Sequence, residues 1–172
     1  MRRILFSLAL LCASISAAPL LTLNPSNGQI SGAQGSTIGW GFNLTGDQAS
    51  WVLITNVQSD VNLAAIGTFQ DLLSNWFANN SFALAPGGSL NDTTAGNLAS
   101  VALSAGAPLG PVSGNLLVSY ELYDGNPFVG GNFLSPGSLT NAFTITVTPI
   151  PEPATGLLVA AALIALSRIR RR

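Results

Sequence analysis

The sequence predicts an all-β protein: an immunoglobulin-like two-sheet sandwich of about seven to eight strands, flanked by an N-terminal signal peptide and a single C-terminal transmembrane helix. Three observations predict it. Apolar and polar residues alternate with period two through the middle of the chain. Clusters of Gly, Pro, Asn and Asp interrupt that alternation at short intervals. Both ends are apolar runs that carry every basic residue of the chain, Arg2 and Arg3 at the start and Arg168, Arg170, Arg171 and Arg172 at the finish. At 172 residues there is room for one ordinary domain plus short terminal segments, and a chain that is 48% hydrophobic and 8% charged is too apolar for disorder. The divisions are 1–17 for the signal peptide, 18–148 for the sandwich and 149–172 for the tail.

The first segment, "MRRILFSLALLCASISAAP", has a basic start, an apolar stretch over 4–13 and then small residues. Pro19 is poorly accepted just after a scissile bond, so signal peptidase is expected to cut between Ala17 and Ala18. A retained anchor is the alternative, weakened by the shortness of the stretch for a spanning helix. Cys12 lies inside it, preceded by Leu11 where an acylated lipoprotein needs Gly, Ala or Ser. Cleavage removes the only cysteine, and with it disulfides, thiolate ligands and a cysteine nucleophile.

In "TIGWGFNLT" the side chains of Ile38, Trp40, Phe42 and Leu44 share one face of a strand, with Gly39, Gly41 and Asn43 on the other. "NLLVSYELYD" sends Leu116, Val118, Tyr120 and Leu122 inward and Ser119 and Glu121 outward. "SLTNAFTITVTP" opposes Leu139, Asn141, Phe143, Ile145 and Val147 to Thr140, Ala142, Thr144, Thr146 and Thr148, a threonine face suited to solvent. "WVLITNV", "NSFALAPGG" and "NLASVALSAG" complete the expected strands. "GTFQDLLSNWFANN" dissents, because Phe69, Leu72, Leu73 and Trp76 fall at near-helical spacing, which predicts a short helical turn across an end of the sandwich.

The body is acidic throughout. Between residues 18 and 150 the charged side chains are Asp47, Asp60, Asp71, Asp92, Glu121 and Asp124, about −6 with no cation, so phosphate neutralisation and nucleic-acid binding are excluded. Without histidine, lysine or a retained cysteine there is no triad, no Schiff base and no imidazole or thiolate metal site. A glycosidase-type carboxylate pair survives in principle, but these acids are scattered and most sit beside turn residues. No enzyme, cofactor or metal site is expected. "YDGNPF" reads as a turn at Asp124-Gly125; its alternative is a calcium loop, for which one carboxylate is thin. Of the three tryptophans, Trp40 shares an apolar face and reads as core. Trp51, Trp76 and Tyr123 are the candidate ligand contacts.

The tail, "PIPEPATGLLVAAALIALSRIRRR", places Pro151-Glu152-Pro153 before 14 uncharged residues, 154–167, that make about 21 Å of helix. With Ile169 and snorkelling arginines this just spans a bilayer. Arg168, Arg170, Arg171 and Arg172 hold the C-terminus on the cytoplasmic side, so the tripeptide emerges on the far face. Pro151 and Pro153 disfavour helix in the residues before them and keep Glu152 extended for a processing enzyme.

At these residues the chain resembles the PEP-CTERM sorting signal of Gram-negative bacteria: Pro151-Glu152-Pro153, then Ala154-Thr155, a short membrane helix and a terminal arginine cluster. The resemblance covers about 23 residues, and it implies that an integral-membrane exosortase recognises the tripeptide, cuts near it and passes the protein from an inner-membrane-anchored intermediate to the cell surface or extracellular matrix. The middle, in "GWGFNLT", "LAPGG" and "VSYELYD", is similar to the β-rich ectodomains such proteins carry, and brings no catalytic residues with it. Two functions are expected from this. One is a non-enzymatic surface or matrix protein associated with exopolysaccharide in a biofilm matrix; the other is a carbohydrate-binding or adhesive module with a specific neutral ligand. An uncut anchor is the alternative for the tail.

Overall fold

The computed structural model describes residues 17–151, which form nine strands, one short α-helix and two single-turn 3-10 helices. The expected signal peptide through Ser16, the predicted transmembrane helix and the residues Glu152, Pro153, Arg168, Arg170, Arg171 and Arg172 lie outside the described residues. Among the described residues no helix is long and apolar enough to cross a membrane.

The strands are β1 (Leu20–Asn24), β2 (Gln29–Ala33), β3 (Thr37–Thr45), β4 (Trp51–Ser59), β5 (Gly67–Asp71), β6 (Ser89–Asp92), β7 (Ala99–Leu103), β8 (Gly110–Tyr123) and β9 (Phe133–Thr148); the helix α1 is Leu73–Asn79. One sheet runs β1-β3-β7-β5, with β6 beside the C-terminal half of β3; the other runs β2-β9-β8-β4. All neighbours are antiparallel except β2 and β9, which are parallel. The all-β, two-sheet expectation therefore holds, with nine strands in place of seven or eight.

The alternation in the sequence is the packing of the sandwich. Trp40, Phe42 and Leu44 from β3, Val101 from β7, Leu116 and Val118 from β8, and Phe143, Ile145 and Val147 from β9 are all buried in one core. On β4 the phase changes: Val52 and Ile54 point inward, a bulge falls at Thr55, and Val57 then points inward.

Four expectations need correction. "NSFALAPGG" is not a strand, because only Leu84 bridges, to Val52, before the chain turns away. "GTFQDLLSNWFANN" divides into strand β5 and helix α1, and the helix buries Leu73 and Phe77, leaving Leu72 and Trp76 at the surface. Gly39 and Gly41 do not form a solvated face. Both are buried beneath residues 92–100, where a side chain on Gly41 would come within 2.7 Å of the Asp92 carbonyl and one on Gly39 would strike the Ala99 carbonyl. β1, β2 and β6 are additional strands.

The first two strands belong to different sheets, and the crossover between them is held at Gly28. Gly28 has φ +68, and a Cβ there would collide with the Ala142 carbonyl, so the close approach requires glycine. Its own carbonyl accepts from the Trp40 indole N–H at 2.9 Å and from the Thr144 N–H at 3.2 Å. The indole also meets the Phe143 ring edge-on, 5.2 Å between centroids.

The free edge of β4 is covered. Val52 exchanges both backbone hydrogen bonds with Leu84, and the Val57 N–H donates to the Asp71 carboxylate at 2.7 Å. Along the sandwich, Leu20 stands opposite Thr45, while Thr148 stands opposite Ala33, one turn before β3 begins. The exit of β9 and the β8–β9 hairpin tip thus occupy opposite ends. We predict that Trp40→Phe, which keeps an apolar ring but removes the N–H, lowers unfolding stability by about 1–3 kcal/mol. Urea unfolding of the variant would measure it; a change within error would show that the indole bond at Gly28 is not limiting.

Candidate functional site

The three aromatic candidates divide between two places. Trp51 begins β4 and lies directly opposite Tyr123 at the end of β8, which in turn faces Phe133 at the start of β9. Because Val52, Ile54 and Tyr120 point into the core, Trp51, Tyr123 and Phe133 lie on the outer face, one row across three adjacent strands. Trp51 and Tyr123 are half-buried; Phe133 is 53% exposed. Tyr123 meets Phe133 edge-on at 5.9 Å and donates its hydroxyl to Glu121 at 2.5 Å. That hydrogen bond, with burial and the charge of Glu121, pushes the phenol above its usual range. Phe128, Val129 and Leu134, all exposed, continue the apolar surface around the hairpin tip.

Trp76 stands apart, on α1. It lines a cleft of about 350 Å³ with Phe42, Leu72, Leu73, Leu90, Asp92 and Asn97. The cleft opens at the side of the sandwich, between β6 and the helix. Trp76 is 42% exposed, yet its ring is braced by Phe77 at 5.6 Å and Phe82 at 5.0 Å. Sequence reasoning selected Trp51, Trp76 and Tyr123 but missed Phe133, Asp92 and Asn97. Phe133 becomes visible only once the β8–β9 register is known, and the Asp92-Asn97 pair depends on a loop with no periodic signal.

The acids are engaged locally. Asp60 accepts from the Asn115 backbone and side-chain N–H groups, both at 2.7 Å. Asp124 makes the same clamp on Asn132, at 2.7 and 2.9 Å. Asp92 accepts from Thr94 N–H at 3.0 Å and the Asn97 amide at 2.7 Å. Buried Asp47 accepts from the N–H groups of Ala49 and Ser50, and Asp71 from those of Val57 and Ser74. Calcium at "YDGNPF" would have to compete with Asn132 for both Asp124 oxygens. Among the described residues no three acids gather into a metal-binding group.

At the two ends of the described region, Ala17 and Ala18 precede β1 and are exposed, and Pro151 is exposed beyond the end of β9.

No protein-family model matches the sequence, and no curated protein matches it. Among solved structures, a family 123 glycoside hydrolase from Clostridium perfringens, described for glycolipid glycan hydrolysis, aligns with 80% of this chain at 11% identity and a TM-score of 0.30. The alignment covers 28% of that chain, so this protein spans under a third of its length, and a likeness of that size carries no argument about activity.

The clamps set an acid limit. Asn115 holds the Asp60 carboxyl below its ordinary 3.8, the Asn97 amide and then Thr94 lower Asp92, and the Asn132 side chain and backbone lower Asp124. In each case the unfolded chain takes up the proton first as acid is added. Their stabilisation is complete well above pH 3.8 and is lost as pH falls through that value toward the lower folded one. Urea midpoints measured from pH 6 to 2.5 should drop below about pH 4, with a shallower drop in Asn115→Ala and Asn132→Ala. Equal slopes in the variants would remove these carboxylates as the cause.

Proposed function

We propose that the protein is an exported, non-enzymatic component of the cell surface or extracellular matrix, associated with exopolysaccharide. Signal peptidase cuts between Ala17 and Ala18. The C-terminal helix then anchors the chain, with Arg168, Arg170, Arg171 and Arg172 as the cytoplasmic stop, until an exosortase acts at Pro151, Glu152 and Pro153. The observation that carries this reading is the handover from domain to tail. β9 ends at Thr148, and Pro149, Ile150 and Pro151 that follow are all exposed, so the described residues leading into the tripeptide, its first proline included, are open to an enzyme.

The immunoglobulin-like reading is supported by strand order. β1-β3-β7-β5 facing β2-β9-β8-β4 corresponds to an ABED sheet against a CFG sheet, with β2 as a split first strand beside the last and β6 as an extra strand. A non-enzymatic role is supported by the local hydrogen bonds that occupy Asp47, Asp60, Asp71, Asp92 and Asp124. The second reading, a module that binds a neutral glycan, is favoured by the row Trp51, Tyr123 and Phe133 at the end of the sandwich away from Thr148.

Protein recovered from the surface of its native host should lack residues 157–172 by intact-mass measurement. Replacing Pro151, Glu152 and Pro153 together by alanine should retain it in the inner membrane. Surface protein carrying the whole tail, in a host that has an exosortase, would refute the sorting route. Separately, residues 18–148 alone should give a β-type circular dichroism spectrum unaffected by chelator or reductant; a helical spectrum would contradict an independently folding sandwich.

A further inference from the structure

We propose that the cleft beside Trp76 binds a neutral, hydroxyl-bearing ligand the size of a sugar ring, stacked on the indole and hydrogen-bonded to Asp92 and Asn97. This rests on the glycan-binding reading of the surface module, but it places the ligand away from the Trp51 row.

The cleft has a rigid floor and a partly exposed rim. Phe42 and Leu73 are buried, whereas Trp76 and Leu72 are 42% and 38% exposed. Phe77, itself fully buried, and Phe82 pack against the indole and limit its movement, so little freedom is lost when a ring stacks on its exposed part. A volume of about 350 Å³ is at the small end of ligand sites, which suits one ring better than an extended chain.

The polar wall selects the chemistry. Asp92 and Asn97 are tied to each other, which orients both. The carboxylate can only accept hydrogen bonds, while the amide can both accept and donate. A pair of neighbouring hydroxyls satisfies both groups. A hydrocarbon would strip water from them without replacement. An anion would meet Asp92 in a body that has no lysine, arginine or histidine among the described residues. A quaternary ammonium would find one exposed aromatic face rather than a cage, and would leave the amide unused.

The test uses the purified full chain in lipid nanodiscs, with cellotetraose, xylotetraose and mannotetraose as neutral probes, tetragalacturonate as the anionic probe and choline as the cationic one. Calorimetry and tryptophan fluorescence should report binding of at least one neutral probe that is insensitive to salt. Trp76→Ala and Asn97→Ala should each weaken it by about tenfold or more, and Trp51→Ala by less than about twofold. Asn97 is an exposed loop residue, so its variant keeps the test open if Trp76→Ala fails to fold. Binding abolished by Trp51→Ala but untouched by Trp76→Ala and Asn97→Ala would overturn the cleft while leaving the surface-module reading standing. Binding of no neutral probe would overturn both, and capture of tetragalacturonate or choline alone would overturn the ligand class.

Discussion

The indole of Trp40 ties the two sheets to each other and to the crossover that feeds them both. It is fully buried on β3, it donates to the Gly28 carbonyl between β1 and β2, and it rests against Phe143 on β9. The same carbonyl receives the Thr144 N–H, so a single oxygen joins both sheets through the strand that changes sides. A buried N–H needs such a partner, and here the partner is a residue whose backbone passes so close to β9 that a Cβ would strike the Ala142 carbonyl. With that contact in place, β2 can lie parallel to β9 and close the second sheet while β1 closes the first.

A body without cations has to stabilise its carboxylates by other means, and amide donors replace ion pairs throughout. Asp60 with Asn115 joins the end of β4 to β8, Asp124 with Asn132 closes the hairpin tip, and Asp71 with Val57 ties the start of α1 to the β4 edge. Each bond is a charge-assisted hydrogen bond to a neutral donor, a kind of contact less sensitive to salt than one between two exposed charges. The charges that do stand by the aromatic surfaces are Glu121 and Asp124 around Tyr123 and the hairpin tip, and Asp92 in the Trp76 cleft.

The long strands were legible because they are half-buried. β3, β8 and β9 alternate over enough residues for period two to stand out, and the residues expected inward on them, Trp40, Phe42, Leu116, Val118, Phe143 and Ile145, are buried. Short strands gave less to read. β5 has five residues and β6 four, too few to separate strand from helix or loop by pattern. "NSFALAPGG" alternates like a strand but has only Val52 to pair with, because pairing depends on a neighbour distant in sequence. For the same reason the aromatic types were legible and their grouping was not. Whether Trp51 meets Tyr123 or Trp76 is decided by the β4–β8 register and by the packing of α1, neither of which is local.

The orientation of β9 has a mechanical consequence. If the chain is held at Thr148 and gripped at the hairpin tip, tension runs along this 16-residue strand, with β8 hydrogen-bonded along one side and β2 along part of the other. Strand axes and load are then collinear, and the ladder bonds lie across the pull. Both grips lie at the ends of one continuous strand, so the covalent backbone of β9 carries the pull and no ladder has to slide or peel. Held at Thr148 in that way, the sandwich would pass tension from its tip along β9 rather than through its strand pairings.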